Sequence, residues 1–328
     1  MPNVTIIGNT SWGNTLGGLL SEEGATVKLW ARSEAEAKEL NQGKHKYSFT
    51  GHIEEALNGA DLAIWAVPSQ KLRENVSQAR GYLTNSMLLM SAAKGLEKNS
   101  GKRMSQVLAE EIAPSLRGQI CVLSGPNLAR EIAQGLPAAS IIAAHDITLA
   151  RRAWELMESP RFVLSISDDV VGVELGGALK NIIALGAGMI DGLGLGDNAK
   201  GAFIAWGWDE VVSLGLSLGA KASTFYGLAG LGDLIATCSS TLSRNHHVGY
   251  ELAKGRPLSE ISASMSQVAE GVTTTMAAHH LAKNQGLKLP ITNIIYEILF
   301  EGFSLSQALI KLRKLAESYY QGSLDVLR

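Results

Sequence analysis

The sequence predicts an α/β protein with a doubly wound, mostly parallel sheet followed by an all-helical C-terminal domain. In the first half, short aliphatic and β-branched runs alternate with helical stretches, which is the order of a parallel sheet covered by helices. After about residue 167 the strand pattern ends and only helical periodicity continues. The chain has 328 residues, enough for two cores, and we predict domains over 1–167 and 168–328.

The elements follow from these patterns in chain order. Strands are expected where apolar, β-branched or aromatic residues run together, and helices where apolar residues recur every three or four positions. The predicted strands are 3–8, 26–32, 60–68, 86–94, 119–126, 138–145 and 161–167. The helices between them are 11–23, 34–40, 70–80, 101–112, 128–135 and 149–158. The C-terminal helices are 170–190, 198–218, 222–228, 242–254, 258–263, 271–285, 290–301 and 304–315.

Charge and cysteine content exclude several classes of protein. The net charge is −2, from 29 Lys and Arg against 31 Asp and Glu, so no basic surface for nucleic acid is expected. Cys121 and Cys238 are far apart, which excludes a disulfide framework and favours a reducing, cytoplasmic location. We expect no signal peptide before the first strand. The apolar segment 170–196 still carries three charged residues, so it predicts a buried helix without membrane insertion.

The stretch GNTSWG, residues 8–13, follows the first predicted strand and opens a helix. In a dinucleotide-binding turn, Gly-x-Gly-x-x-Gly, the first glycine makes the turn, the second admits the pyrophosphate and the third lets the helix pack. Gly8 and Gly13 keep the first and third positions, and Thr10 occupies the second with a β-branched side chain. We interpret the first domain as dinucleotide-binding, with Thr10 crowding the phosphates. The alternative is an ordinary strand-turn-helix.

The end of the second strand bears on the choice of cofactor. An acid there would bind the ribose 2′-hydroxyl of NAD, but this strand ends in Arg32 and no acid follows until Glu34. A guanidinium suits a 2′-phosphate through charge-assisted hydrogen bonds. The predicted cofactor is therefore NADP or NAD, with NADP favoured. The alternative is that Arg32 is a solvated surface residue.

Lys180 is the central charge of the apolar segment. Small residues flank it on one helix face, with Gly176 and Gly177 a turn before and Ala184 a turn after, which predicts room for a planar ligand. A desolvated lysine has a lowered pKa and exchanges a proton near neutrality, as a general acid or base beside a carbonyl must. The alternative is a structural lysine paired with Glu174.

Other polar residues follow predicted strand ends or open helices. Lys94 and the segment 125–127 follow strands, where the ligands of doubly wound sheets bind. Arg244 and Asn245 open a helix and are suited to grip a phosphate monoester, because the guanidinium fork and the helix N-terminus both favour an anion. Plain helix capping is the alternative. The histidines at 246–247 lack metal-ligand spacing, so no metal site is predicted.

With these residues collected, the chain resembles the bacterial NAD(P)-dependent sn-glycerol-3-phosphate dehydrogenases over nearly its whole length. The most specific motifs are ELGGALKNIIALGAGMIDGLGLGDNAK at 174–200 and GLAGLGDL at 227–234 with SRN at 243–245. The shorter motifs are SWG at 11–13, LWAR at 29–32, AVPSQ at 66–70, AKGLE at 93–97, SGP at 124–126 and EG at 270–271.

The resemblance implies a homodimeric enzyme that interconverts dihydroxyacetone phosphate and sn-glycerol 3-phosphate by hydride transfer, supplying glycerophospholipid synthesis. It implies that Lys180 accepts the proton, that Lys94 contacts both cofactor and substrate, and that the catalytic set is Lys180, Lys94 and Asp233. The implied substrate-binding residues are Lys94, Gly125, Asn127, Lys180, Asp233, Ser243, Arg244 and Asn245. Together with the turn after the first strand, the cofactor-binding residues are Gly8, Ser11, Trp12, Gly13, Arg32, Tyr47, Lys94, Ala129, Arg244, Val268 and Glu270.

The chain departs from the family pattern at four places. Thr10 replaces the middle glycine, Asn127 stands where Thr or Ser is usual, and Trp206 stands where arginine is common. The segment 44–52 is shortened, which bears on Tyr47 as a cofactor contact. These departures concern affinity and cofactor preference more than the reaction.

Two other functions stay open at this point. One is another β-hydroxyacid or ketopantoate-type reductase of the same architecture. The other is a non-catalytic dinucleotide-sensing protein, which the altered glycine turn suggests. The joint presence of Lys94, Lys180, Asp233 and the pair 244–245 argues against the sensor.

Overall fold

Eight strands form one sheet in the computed structural model, which describes residues 1–265 and 267–326, with side chains as far as 317. The strands are β1 (Asn3–Ile7), β2 (Thr26–Trp30), β3 (Ser48–Thr50), β4 (Leu62–Trp65), β5 (Leu88–Ser91), β6 (Ile120–Ser124), β7 (Ala138–Ala143) and β8 (Phe162–Ser167).

Helices connect the strands and then make up the rest of the described chain. Those among the strands are α1 (Ser11–Glu22), α2 (Glu34–Leu40), α3 (Ile53–Leu57), α4 (Leu72–Ala79), α5 (Met104–Glu111), α6 (Ala129–Ala133) and α7 (Ile147–Met157). Those of the C-terminal region are α8 (Val170–Leu193), α9 (Gly196–Ser217), α10 (Ala222–Phe225), α11 (Asp233–Ser239), α12 (Arg244–Ala253), α13 (Leu258–Ser264), α14 (Glu270–Asn284), α15 (Pro290–Phe300) and α16 (Leu305–Val326). A π-helical turn over Leu228–Gly232 leads into α11.

The strand order is β3-β2-β1-β4-β5-β6-β7-β8, and neighbouring strands are parallel except for β6 and β7. The carboxyl-terminal residue of β1, Ile7, pairs with Trp30 of β2 on one side and Trp65 of β4 on the other. The chain therefore reverses its direction of winding at β1, and the crevice beside such a switch point is where doubly wound sheets bind ligands. The predicted fold class is confirmed.

Apolar clusters cover both faces of the sheet. On one face Ile6 packs with Leu16 of α1, and on the other Ile7 and Trp65 pack with Val76 of α4. Alternate residues of a strand point to opposite faces, so the central strands consist of apolar residues throughout. This pattern explains why the strand predictions there were correct.

Some predicted elements were wrong. The sequence pattern missed β3 and α3, because a three-residue edge strand and a five-residue helix are too short to display a period. It also missed α11, which follows the glycine-rich π-helical turn. The strand predicted over 86–94 ends at Ser91, so Lys94 lies in the loop three residues beyond it.

The helix α8 runs through the core of the C-terminal region. It is apolar and long enough to cross a membrane, but 94% of its apolar window is buried inside the protein, as in a core helix. Glycines bring α12 close to it: a Cβ on Gly188 would overlap the carbonyl oxygen of His246, and one on Gly249 would overlap that of Leu185. The first turn of α12 is thereby fixed against α8.

Candidate active site

The site residues predicted in the sheet follow strands whose carboxyl ends meet at one edge. Gly8 follows β1, Gly125 follows β6, and Lys94 lies shortly after β5. Because β1, β4, β5 and β6 run parallel, these loops open on the same side. The C-terminal helices close this side, with Asp233 at the start of α11 reaching Lys94.

Asp233 joins two lysines that come from opposite parts of the chain. Its Oδ1 accepts a hydrogen bond from Lys180 Nζ at 2.5 Å, and its Oδ2 accepts one from Lys94 Nζ at 2.7 Å. Lys94 also donates to the carbonyl oxygen of Gly125 at 2.5 Å. The structure thus brings together both predicted catalytic lysines, Asp233 and Gly125.

Burial sets the acidity of Lys180, whose side chain is 6% exposed. Burial, aided by the positive charge of Lys94, lowers the pKa of Lys180 to about 8, although the Asp233 carboxylate acts in the opposite direction. Thr237 accepts a hydrogen bond from Lys180 Nζ and donates to the backbone oxygen of Asp233 at 2.6 Å. Thr237 was not among the predicted site residues, although its spacing of four residues from Asp233 was a usable signal.

The small residues beside Lys180 do not make room for a planar ligand, and that expectation was wrong. A Cβ on Gly176 would lie 2.7 Å from the carbonyl oxygen of Ala229, and one on Gly177 would overlap Ser124 Oγ. The glycines instead let α8 pack directly on the π-helical turn and on the end of β6. This packing brings Lys180 within reach of both Lys94 and Asp233.

The first turn of α12 contacts Asn181, the residue after Lys180 on α8. Ser243 caps the helix by accepting from His246 N at 3.2 Å. The Asn245 amide donates to Asn181 Oδ1 and accepts from Gly271 N, each at 2.8 Å, so it ties α12 to α8 and α14. The oxygen and one amide hydrogen of Asn245 are therefore used within the structure. Over the residues that the structure describes, its second amide hydrogen and the backbone N–H groups of Arg244 and Asn245 have no partner, so they can meet a ligand.

Asn127 lies in the loop after β6 with an unused donor. Its Oδ1 accepts from Ser140 Oγ at 2.5 Å, while its buried Nδ2 has no hydrogen-bond partner within the described residues. A buried amide hydrogen without a partner is costly, so a ligand acceptor there would be favourable.

The turn after β1 fits a dinucleotide pyrophosphate. Gly8 has a φ of +121°, and a Cβ on it would lie 2.8 Å from the carbonyl oxygen of Ala66. A Cβ on Gly13 would overlap the carbonyl oxygen of Gly8. The helix α1 begins at Ser11, and over the described ranges no acceptor meets the N–H groups of Ser11 and Trp12. These groups and the helix dipole favour a bound anion.

Thr10 does more than crowd this turn. Its hydroxyl accepts from Gly13 N at 3.0 Å, which caps α1, and donates to the carbonyl oxygen of Ala66 at 2.7 Å. Thr10 therefore joins the turn to the loop after β4, across the switch point. These two hydrogen bonds explain why the middle position of the glycine motif carries a side chain here.

The C-terminal region contributes a second wall opposite this turn. Gln267 donates to Ser11 Oγ, and the Arg244 guanidinium donates to the carbonyl oxygen of Val268 at 2.8 Å. Glu270 accepts from Ser69 N at 2.8 Å. The structure thus brings predicted cofactor residues of both parts of the chain close to one another.

The other predicted cofactor residues line the rim of the sheet. Arg32 is exposed two residues beyond the end of β2, because the strand predicted over 26–32 ends at Trp30. The Tyr47 hydroxyl is 2.9 Å from Asn14 Oδ1, so Tyr47 lies along α1. The carbonyl oxygen of Ala129 accepts from the Thr15 hydroxyl of α1 at 3.2 Å, and Trp12 meets the edge of Phe162.

Glu174, the candidate partner of Lys180 in the structural alternative, does not contact it. It accepts from Ser105 N at 2.7 Å and pairs with Arg103, which anchors the start of α5 on α8. Lys180 thus forms its ion pair with Asp233. Over the described residues, no group of three His, Cys, Asp or Glu side chains is arranged to hold a metal ion.

Comparison with protein-family models gives two matches that cover most of the chain. Residues 3–150 match the model described as NAD-dependent glycerol-3-phosphate dehydrogenase N-terminus. Residues 169–310 match the model for the C-terminus of the same family.

Individual relatives agree with these matches. A protein of Dehalococcoides mccartyi named glycerol-3-phosphate dehydrogenase [NAD(P)+] is 51% identical over 325 residues, covering 95% of this chain and 90% of the relative. A crystal structure of glycerol-3-phosphate dehydrogenase from Coxiella burnetii superposes with a TM-score of 0.88 at 31% identity, covering 95% of this chain and 98% of that one. A ketopantoate reductase from Ralstonia eutropha has a TM-score of 0.58 at 14% identity, covering 90% and 97%, which shows a shared fold alone.

Proposed function

Because the chain belongs to the NAD-dependent glycerol-3-phosphate dehydrogenase family, we propose that Lys180, Lys94 and Asp233 are its catalytic residues. The protein is an NAD(P)-dependent oxidoreductase that interconverts sn-glycerol 3-phosphate and dihydroxyacetone phosphate. The observation that carries the assignment of residues is the Asp233 carboxylate, which holds both lysines at the edge of the sheet. Oxidation of NADH or NADPH that requires dihydroxyacetone phosphate is the direct test of the activity.

The cofactor, NAD or NADP, fits the cleft between the sheet and the C-terminal helices. We assign the pyrophosphate to the turn from Gly8 to Gly13, with Ser11 and Trp12 donating from the start of α1. The further cofactor-binding residues in this proposal are Arg32, Tyr47, Lys94, Ala129, Arg244, Val268 and Glu270. When bound, the nicotinamide supplies or accepts the hydride at C2 of the substrate.

Lys180 handles the proton in this proposal. During oxidation its neutral amine accepts the proton of the C2 hydroxyl, and during reduction its ammonium returns a proton to the carbonyl oxygen. Asp233 orients Lys180 through the bond at 2.5 Å. The positive charge of Lys94 lies on the same side and stabilises negative charge that develops on the oxygen.

The phosphate of the substrate belongs at the start of α12. The guanidinium of Arg244 keeps donors beyond the one that reaches Val268, and the helix adds backbone N–H groups and the positive end of its dipole. We propose that the remaining amide hydrogens of Asn127 and Asn245 donate hydrogen bonds to the other oxygens of the substrate. Ser243 acts here by capping the helix.

The pH dependence should change sign with the direction of reaction. Reduction needs protonated Lys180, so kcat/KM should fall as pH rises through about 8, whereas oxidation needs the neutral amine, so kcat/KM should fall as pH drops through about 8. Steady-state profiles of both directions in one set of buffers measure this. If kcat/KM changed with pH in the same sense in both directions, Lys180 would not be the proton carrier.

Replacing Arg244 by alanine should raise KM for dihydroxyacetone phosphate at least about tenfold, because a hydrogen bond to a charged group contributes about 1.5–3 kcal/mol. The rate with unphosphorylated dihydroxyacetone should change much less. Arg256→Ala is the matched control, since Arg256 follows the same helix and pairs with Glu251 at 2.7 Å. Equal losses on both substrates would mean that Arg244 supports the structure alone.

We also propose a cytoplasmic homodimer with domains 1–167 and 168–328 that supplies glycerol 3-phosphate for phospholipid synthesis. The family resemblance supports the dimer, and the two free, buried cysteines suit a reducing compartment. Light scattering should give twice the 34.8 kDa of one chain.

A further inference from the structure

Glu36 folds back from α2 to the rim of the cofactor cleft. Its Oε2 accepts from the backbone N–H of Arg32 at 2.8 Å, just past the end of β2. Its Oε1 accepts from the Asn9 side chain at 3.0 Å, in the turn after β1. The carboxylate thus bridges the two loops between which doubly wound folds bind the adenosine ribose.

A chain of hydrogen bonds fixes this carboxylate in place. Asn9 Oδ1 accepts from the Asn14 amide at 2.8 Å, and Asn14 Oδ1 in turn lies 2.9 Å from the Tyr47 hydroxyl. Asn9 is therefore oriented by its own oxygen, with its amide hydrogens directed to Glu36. Because both oxygens of the Glu36 carboxylate are held, the carboxylate is preorganised to bind a ligand.

Resting on the proposed use of NAD or NADP, we infer that Glu36 determines the choice between them and makes the protein bind NADH more tightly than NADPH. An ionised carboxylate accepts about four hydrogen bonds, and within the described residues Glu36 accepts two, which leaves two for ribose hydroxyls. A 2′-phosphate has no hydrogen to donate and places like charges together, which is unfavourable. The exposed guanidinium of Arg32 offsets part of this repulsion, so NADPH is disfavoured without being excluded.

The test is direct titration of NADH and NADPH by calorimetry, with wild type, Glu36→Gln and the control Glu34→Gln. Glu34 lies two residues earlier on α2 and accepts from Gly51 N at 3.1 Å, away from Asn9. Glu36→Gln should tighten NADPH about tenfold or more and weaken NADH, which inverts the preference, because the repulsion and an acceptor are lost together. Glu34→Gln should bind both cofactors as wild type does.

Two outcomes separate this inference from the proposed function. If wild type binds neither cofactor, the proposed function fails as a whole. If wild type binds both and Glu36→Gln keeps the wild-type ratio, Glu36 does not select the cofactor. Glu36→Asp covers the case in which the glutamine variant does not fold: its charge is kept, so it should still disfavour NADPH, and a preference for NADPH would overturn the inference.

Discussion

Lys180→Met should reduce kcat by about 10²–10⁴-fold in both directions, the range that a positioned acid or base contributes. Methionine fills nearly the same volume in the core and carries no ionisable hydrogen, so the substitution removes the proton carrier without leaving a cavity. Lys180 contacts Asp233 and Thr237, and the turn after β1 that is assigned to the pyrophosphate belongs to a different part of the cleft. Binding of NADH should therefore stay close to that of wild type.

Single-turnover kinetics and a cofactor titration of the same preparation check this prediction together. Lys200→Met is the matched control, because Lys200 also pairs with a carboxylate, Asp191 at 3.0 Å, and makes no hydrogen bond to Asp233 within the described residues. We expect the control to keep most of the wild-type kcat. A Lys180→Met enzyme with near-normal kcat would take Lys180 out of the mechanism.

Asp233→Asn should have the second largest effect, since it leaves two lysines facing each other without the carboxylate that now bridges them. The pKa of Lys180 should drop well below about 8, because the carboxylate that opposes burial and the charge of Lys94 is gone. At neutral pH a larger share of Lys180 would then be deprotonated and unable to donate, and Lys180 would also lose the hydrogen bond to Asp233 that orients it. Reduction of dihydroxyacetone phosphate should slow on the order of 10²-fold.

The pH profile distinguishes this effect from simple loss of structure. The alkaline limb of the reduction reaction should move to lower pH by about one unit or more, which corresponds to at least about 1.4 kcal/mol of lost charge interaction. Asp191→Asn removes another carboxylate paired with a lysine and should leave the limb in place. An Asp233→Asn profile that coincides with that of wild type would show that Asp233 does not tune Lys180.

The order of strands and helices could be predicted from residue patterns alone, and so could most of the residues proposed for the site. Short, continuous apolar runs such as 62–65 and 87–90 predict strands covered on both faces, and the structure has strands at Leu62–Trp65 and Leu88–Ser91. Lys180 could be predicted as a site residue because it is a single lysine within an apolar helix. A buried charge is costly unless it has a partner or a function. The short elements β3, α3 and α11 were missed because a period cannot be read from a few residues.

Which of these groups form hydrogen bonds with each other depends on the packing of distant parts of the chain. Asp233 lies 53 residues after Lys180 and 139 after Lys94, and no local pattern links such distant positions. Likewise, the glycines at 176 and 177 indicate that another group packs closely against α8. The sequence does not show whether that group is a ligand or, as in the structure, the backbone of Ala229. Glu36 escaped notice because an acid was sought directly after β2, while the first turn of α2 brings a later residue back to Arg32 N. Local propensity acts over a few residues and can therefore be recognised in the sequence. Hydrogen-bond partners that are distant in the chain are brought together by the packing of whole helices and strands.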